Sequence, residues 1–265
     1  MSLNRRLNVL VAILVTASFL HAPLSLASPE KGLAIAKEMK ARDEGWVDTN
    51  ADMQMILRSP DGRESVREIR IKTLEVEGNG DKALTIFDEP RDIAGTAFLS
   101  FSNIEGPDDQ WIFLPAVKRV KRIATRNKSG PFMGSEFAFE DMTSFEIEKF
   151  EFNYLRDETF KGMDMFVVEQ RPTDKYSGYS KQIVWVDKEH YRAFQIEFYD
   201  RKDALLKILT MDEYKQYDGK YWRADRADMD NYQTGKSTTL LIEDIRFKEG
   251  LDEKDFDKNA LRRAK

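Results

Sequence analysis

A chain of 265 residues with no cysteine, two histidines and a net charge of −5 excludes several chemistries at once. Disulfides, thiol catalysis and cysteine-ligated metals are ruled out, and the acidic balance gives no general attraction for nucleic acid or anionic membranes. With 41% hydrophobic residues the chain can bury a core without disulfides, and one domain is expected, since all-β barrels commonly reach this length.

Arg5 and Arg6 precede an apolar run from Leu7 to Leu20, and Ser25-Leu26-Ala27 supplies the small residues of a cleavage point. This is the pattern of a secretory signal peptide over residues 1–27, cut after Ala27. The run falls short of the roughly 20 apolar residues of a spanning helix. Without cysteine there is also no lipid attachment. The expectation is a periplasmic, unanchored mature domain of residues 28–265. Loss of Arg5 and Arg6, with no acid lost, takes its charge from −5 to −7.

The mature chain opens on a helical pattern from Pro29 to about Arg42, with Leu33, Ala36 and Met39 on one face. Strand signals dominate after that. Met53, Met55 and Leu57 alternate with other residues up to a Ser59-Pro60-Asp61-Gly62 turn, and the alternation resumes from Arg63 to Glu77. Gly78-Asn79-Gly80-Asp81 turns the chain into Ala83 to Phe87. Two aromatic strands follow, Thr96 to Ile104 and Gln110 to Leu114, and then the basic strand Lys118-Arg119-Val120-Lys121-Arg122. From Phe150 to Phe247 further strand patterns are separated by turn signals such as Lys161-Gly162, Asp218-Gly219 and Thr234-Gly235. Phe194, Ile196 and Phe198 against Gln195, Glu197 and Tyr199 show one buried and one wet face, the mark of an antiparallel sheet. About ten or eleven such strands in one sheet must curl or close.

Catalytic motifs are scarce. His190 is the sole histidine of the mature chain and lies at a hairpin turn beside Glu189 and Tyr191. No Gly-x-Ser-x-Gly elbow, phosphate loop or dinucleotide fingerprint occurs. Acid pairs such as Asp108-Asp109 and Glu140-Asp141 are read as turn or helix-start residues in an acid-rich chain. No enzyme activity, metal or cofactor is expected. The telling stretch runs from Phe87 to Phe145, where aromatic residues concentrate and the loop Gly130-Pro131-Phe132-Met133-Gly134-Ser135 sets large apolar side chains between glycines. An ordinary surface loop is polar. Such a loop can fold inward as a plug or open as a lid.

Pro90, Gly95-Thr96-Ala97-Phe98-Leu99, Trp111-Ile112-Phe113-Leu114-Pro115, the basic strand and Phe132-Met133-Gly134-Ser135-Glu136-Phe137 with Glu140-Asp141 form an ordered series. This series resembles the LolA-like family, the outer-membrane lipoprotein-sorting proteins, in its divergent longer branch. The resemblance implies a curved, incompletely closed antiparallel barrel that holds a lipid or acyl chain against a helical lid. It points to a carrier that receives lipid or lipoprotein acyl chains and works with an inner-membrane lipid transporter or export complex. Phe98, Trp111, Phe113, Phe132, Met133 and Phe137 are the candidates for the apolar cavity and its lid. Lys118, Arg119, Lys121 and Arg122 are the candidates for contact with a partner or a lipid headgroup. The alternative is a lipid-sensing or regulatory module of the same fold.

Overall fold

The computed structural model describes residues 27–263, so the expected leader, apart from Ala27, lies outside the described residues. Helix α1 (Pro29–Arg42) is followed by six strands: β1 (Asp48–Arg58), β2 (Glu64–Leu74), β3 (Lys82–Glu89), β4 (Ala97–Phe101), β5 (Asp109–Leu114) and β6 (Arg119–Ile123). A long connection over residues 124–149 leads to β7 (Phe150–Phe160), β8 (Met163–Pro172), β9 (Tyr179–Asp187), β10 (Ala193–Asp200), β11 (Leu205–Tyr217), β12 (Tyr221–Asn231) and β13 (Ser237–Phe247). Helix α2 (Lys258–Arg263) ends the described chain.

All thirteen strands form one antiparallel sheet in the order β6-β5-β4-β3-β2-β1-β13-β12-β11-β10-β9-β8-β7. The count exceeds the ten or eleven expected, and the charged segment read as a basic strand pairs with β5 from Arg119 to Ile123. First and last strands meet in the middle, from Thr49 opposite Phe247 to Arg58 opposite Ser237. Two meanders therefore fan outward, leaving β6 and β7 as the two edges, β7 bridged at one point by Ser28. Between them the sheet does not close.

The sheet is strongly curved. Ile112 of β5 and Phe198 of β10 share one buried cluster with Met55, Ile69, Phe87, Phe98 and Met229. On a flat sheet the eight strand steps between β5 and β10 would separate them by about 40 Å, at roughly 4.8 Å per step. Alternation then sorts the side chains onto two faces. On β3 and β4, Phe87 and Phe98 point inward, whereas Leu84, Ile86, Ala97 and Leu99 form an outer cluster with Phe256 and Leu261 beside α2. The charged tail ends in the short helix α2, which packs its Leu261 fully into this outer cluster.

Helix α1 covers the other half of the inner face, its Ile35 and Ala36 against Tyr154, Val168 and Val184. Ser28 caps it by accepting the Lys31 amide at 3.2 Å. The backbone of Ser28 also exchanges two hydrogen bonds with Tyr154 of β7, at 3.0 and 2.9 Å. Gly32 is required here, since a Cβ at that position would lie 2.7 Å from the Tyr154 nitrogen.

Near the lower turns, burial raises the Asp81 carboxyl to about 6. The folded chain thus binds this proton more tightly than the unfolded chain does. Its ionisation costs stability above that value, and the cost disappears as pH falls toward the ordinary carboxylate range. Asp81→Asn is expected to raise stability at pH 7.5 by about 2 kcal/mol and to change little at pH 4. Denaturant midpoints at the two pH values check this, and equal effects at both would overturn it.

Candidate functional site

The connection over residues 124–149 forms a strap across the inner face. Its middle is a small hairpin in which the Phe132 amide donates to the Phe137 carbonyl at 2.7 Å and the Ser135 amide to the Phe132 carbonyl at 2.9 Å. Met133 and Gly134 hold the turn with φ of +50° and +78°, the left-handed pair that such tight hairpins use. The turn aims Phe132 into the sheet. Its ring lies 5.9 Å from that of Phe87, 5.0 Å from Phe98 and 5.7 Å from Phe139, in tilted and edge-to-face contacts. Phe132 is 0% exposed and Phe137 is 5% exposed. In this structure the inner face is therefore filled by the strap's own rings.

Polar groups pin the strap to both halves of the sheet. Gln110 of β5 donates to the Phe139 carbonyl at 2.7 Å, and Arg67 of β2 donates to the Met133 carbonyl. The Glu136 amide donates to Thr238 of β13 at 3.0 Å, and Asn231 of β12 donates to the Glu136 carboxylate at 2.7 Å. Lys207 of β11 reaches the Glu136 carbonyl at 2.8 Å and Asp141 at 2.6 Å. Asp141 also accepts the Tyr179 hydroxyl at 2.8 Å and the Ala138 amide at 2.7 Å. Burial, reinforced by the carboxylates of Asp141 and Glu140, holds the Tyr179 phenol well above its ordinary range, so it serves as a donor. Burial also raises the Glu140 carboxyl, which accepts from Ser177 and the Gly178 amide. Two open grooves flank the strap. One, of about 380 Å³, lies between Leu57, Arg63, Gly134 and Lys236. The other, of about 460 Å³, lies between Pro131, Phe137, Tyr179, Leu206 and Lys207.

The sequence-derived cavity residues are not all brought together. Phe98, Phe132, Met133 and Phe137 meet in the inner cluster. Trp111 and Phe113 lie on the opposite face with Leu99 and α2, because β5 alternates and Ile112 takes the inward place. Among the basic candidates, register places Arg119 and Lys121 on the same face as Ile112, and Arg122 with Trp111. Arg122 pairs with Asp109, whereas Lys118, Arg119 and Lys121 make no ion pair among the described residues. All four are exposed at the free edge. Of the helical lid implied by resemblance, α1 covers one half of the inner face, and the strap over the other half is mostly irregular with short turns at Thr125–Asn127, Phe139–Met142 and Ile147–Lys149. His190 sits half-buried at its hairpin, its ring 4.9 Å from that of Trp222. No group of three or more metal-ligating side chains occurs among the described residues.

Sequence reading passed over the Lys207, Asp141 and Tyr179 network. Its one signal was a lysine inside the apolar run Leu205-Leu206-Lys207-Ile208-Leu209, where a buried charge needs a buried partner. Asp141 by itself reads as a turn or helix-start acid, and only its place in the family series marks it.

A family model described only as an uncharacterized protein matches residues 79–263. No curated protein matches the chain. Among solved structures, a domain from Vibrio parahaemolyticus described as outer-membrane lipoprotein-sorting is 64% identical. That comparison covers 89% of this chain and 100% of the domain, with a TM-score of 0.87. A DUF1329 family protein from Desulfovibrio piger is 27% identical over 88% of this chain and 98% of its own, with a TM-score of 0.83. A LolA superfamily protein from Nitrosomonas europaea shares the fold at 21% identity and a TM-score of 0.70, over 86% of this chain and 98% of its own. The chain therefore belongs to the family of outer-membrane lipoprotein-sorting proteins and shares the fold of the LolA superfamily.

Proposed function

We propose that this protein is a periplasmic carrier that holds a lipid, or the acyl chains of a lipoprotein, on the inner face of its open sheet. It hands that cargo to an envelope partner without chemical turnover. The observation that carries this reading is the strap. Its rings fill the inner face like a ligand, yet the segment is held by side-chain hydrogen bonds and joins no strand of the sheet. Lifting the strap exposes an apolar trough lined by Met55, Phe87, Phe98 and Met229, and methionine adapts well to varied chain shapes. Acyl transfer from water into such a trough yields roughly 0.8 kcal/mol per CH₂, which is enough to offset lost ring contacts. Family membership supports the same role, as does the secretory leader expected at residues 1–27. Mass spectrometry of organic extracts from natively purified protein tests it: a stoichiometric lipid is expected. A protein free of lipid that also fails to bind a fluorescent fatty acid would sink the proposal.

The free basic edge serves the handover. Lys118, Arg119, Lys121 and Arg122 would meet an acidic surface of the receiving or donating complex, for which an inner-membrane lipid transporter or export complex is the natural kind. Edge strands use such charges against unwanted pairing, so the test must separate the two uses. Arg119→Glu with Lys121→Glu is expected to leave melting temperature and fatty-acid affinity unchanged. The same change should lower function in cells severalfold, because like charges at a docking surface mainly slow association. Normal function at normal abundance would assign the edge to self-protection alone.

A further inference from the structure

We propose that Lys207 is the receptor for an anionic headgroup, so that the cargo is an amphiphile carrying a carboxylate or phosphate at the end of its chain. The inference rests on the carrier reading above and adds to it the chemistry of the head and the event that frees the strap. Lys207 is 3% exposed, and its ammonium lies 5.2 and 5.0 Å from the rings of Tyr179 and Phe198. It has three donors. Two are spent on the strap, at the Glu136 carbonyl and Asp141, and the side chain lines the 460 Å³ groove. The same groove offers apolar wall at Pro131, Phe137 and Leu206, which suits a chain, and its lining holds the exposed cations Arg201 and Lys202 beside the carboxylates of Glu136 and Asp200.

Stripping a buried ammonium of its counter-ion is costly, but exchanging one carboxylate for another leaves the buried charge balanced. A headgroup that takes the place of Asp141 at Lys207 therefore meets little electrostatic penalty. Its arrival has a consequence for the cover. Asp141 also holds the Ala138 amide and the Tyr179 hydroxyl, so its displacement unfastens the turn that carries Phe137 and Phe139. Binding the head and loosening the rings become one step, and an uncharged chain cannot perform it.

Competition against a fluorescent fatty acid tests this with three matched ligands: dodecanoate, dodecyl phosphate and dodecanol. Wild-type protein is expected to favour both anions over the alcohol by about tenfold or more, the usual weight of a charge-assisted hydrogen bond. Lys207→Met should bring the three to within about twofold by lowering only the anions. Because that change leaves Asp141 buried and unpaired, Lys207→Met with Asp141→Asn is the second variant. It removes both charges, and the same loss of preference is expected. Asp141→Asn alone should raise affinity for the anions over wild type while leaving dodecanol nearly unchanged. A wild type indifferent to the headgroup, or a preference that survives in both Lys207 variants, would overturn the proposal while the carrier reading stands. Failure to bind any of the three would instead overturn the carrier reading. Acetate at the same concentrations should not compete, and equal competition by acetate would show a simple anion site and sink the amphiphile assignment.

Discussion

Phe132→Ala is expected to destabilise the lipid-free protein by about 3–5 kcal/mol, the usual loss for a large ring removed from a packed interior. Phe132 is completely buried and touches Phe87, Phe98 and Phe139, three rings on three different segments. The cavity it leaves has little means of collapsing, because Phe87 and Phe98 are fixed by sheet register. A core residue and a plug part company once ligand is present. In the wild type, an acyl chain must displace the ring before occupying the trough, so the ring's own contacts are subtracted from affinity. In the variant the space is already vacant. Saturating dodecanoate should therefore raise the melting temperature of Phe132→Ala more than that of the wild type, by the mass-action stabilisation that any native-state ligand confers. Phe132→Leu, close to the original volume, should lose less than about 1.5 kcal/mol and respond to ligand like the wild type. Equal ligand responses in wild type and Phe132→Ala would make Phe132 ordinary core and remove the plug from the mechanism.

Why the unusual loop at Phe132 was legible in the sequence, and the Lys207–Asp141 pair was not, follows from what each depends on. Phe132 and Met133 stand out because glycines flank them in a loop, and loops seldom carry such side chains. That is local information. Strand identity was equally local, since alternation at Phe194, Ile196 and Phe198 reports only on neighbours in the chain. The face on which a residue lands is not local. Trp111 and Phe113 looked as suitable as Phe98 for an inner wall, and only pairing with β4 and the docking of α2 sends them outward. The Lys207–Asp141 pair is less local again. Lys207 and Asp141 are 66 residues apart in sequence, and nothing near either predicts the other. Closure behaves likewise. The pairing of β1 with β13, which makes one sheet from two meanders, depends on contacts across nearly the whole chain.

Covalent closure of the strap should abolish cargo binding, and the absence of native cysteine makes this a clean test. The Glu136 amide lies 3.0 Å from the Thr238 hydroxyl, which makes these two positions the natural pair for a bridge across the seam between strap and sheet. Glu136→Cys with Thr238→Cys is expected to oxidise readily and to keep the strap seated over the trough. Under oxidising conditions the affinity for a fluorescent fatty acid should fall by at least about tenfold, or about 1.4 kcal/mol, while the melting temperature holds or rises. Reduction should restore binding. The reduced double variant is its own control, because it has already lost the Glu136 bond to Asn231 yet keeps a movable strap. If the oxidised protein binds as well as the reduced one, cargo does not enter beneath residues 130–142.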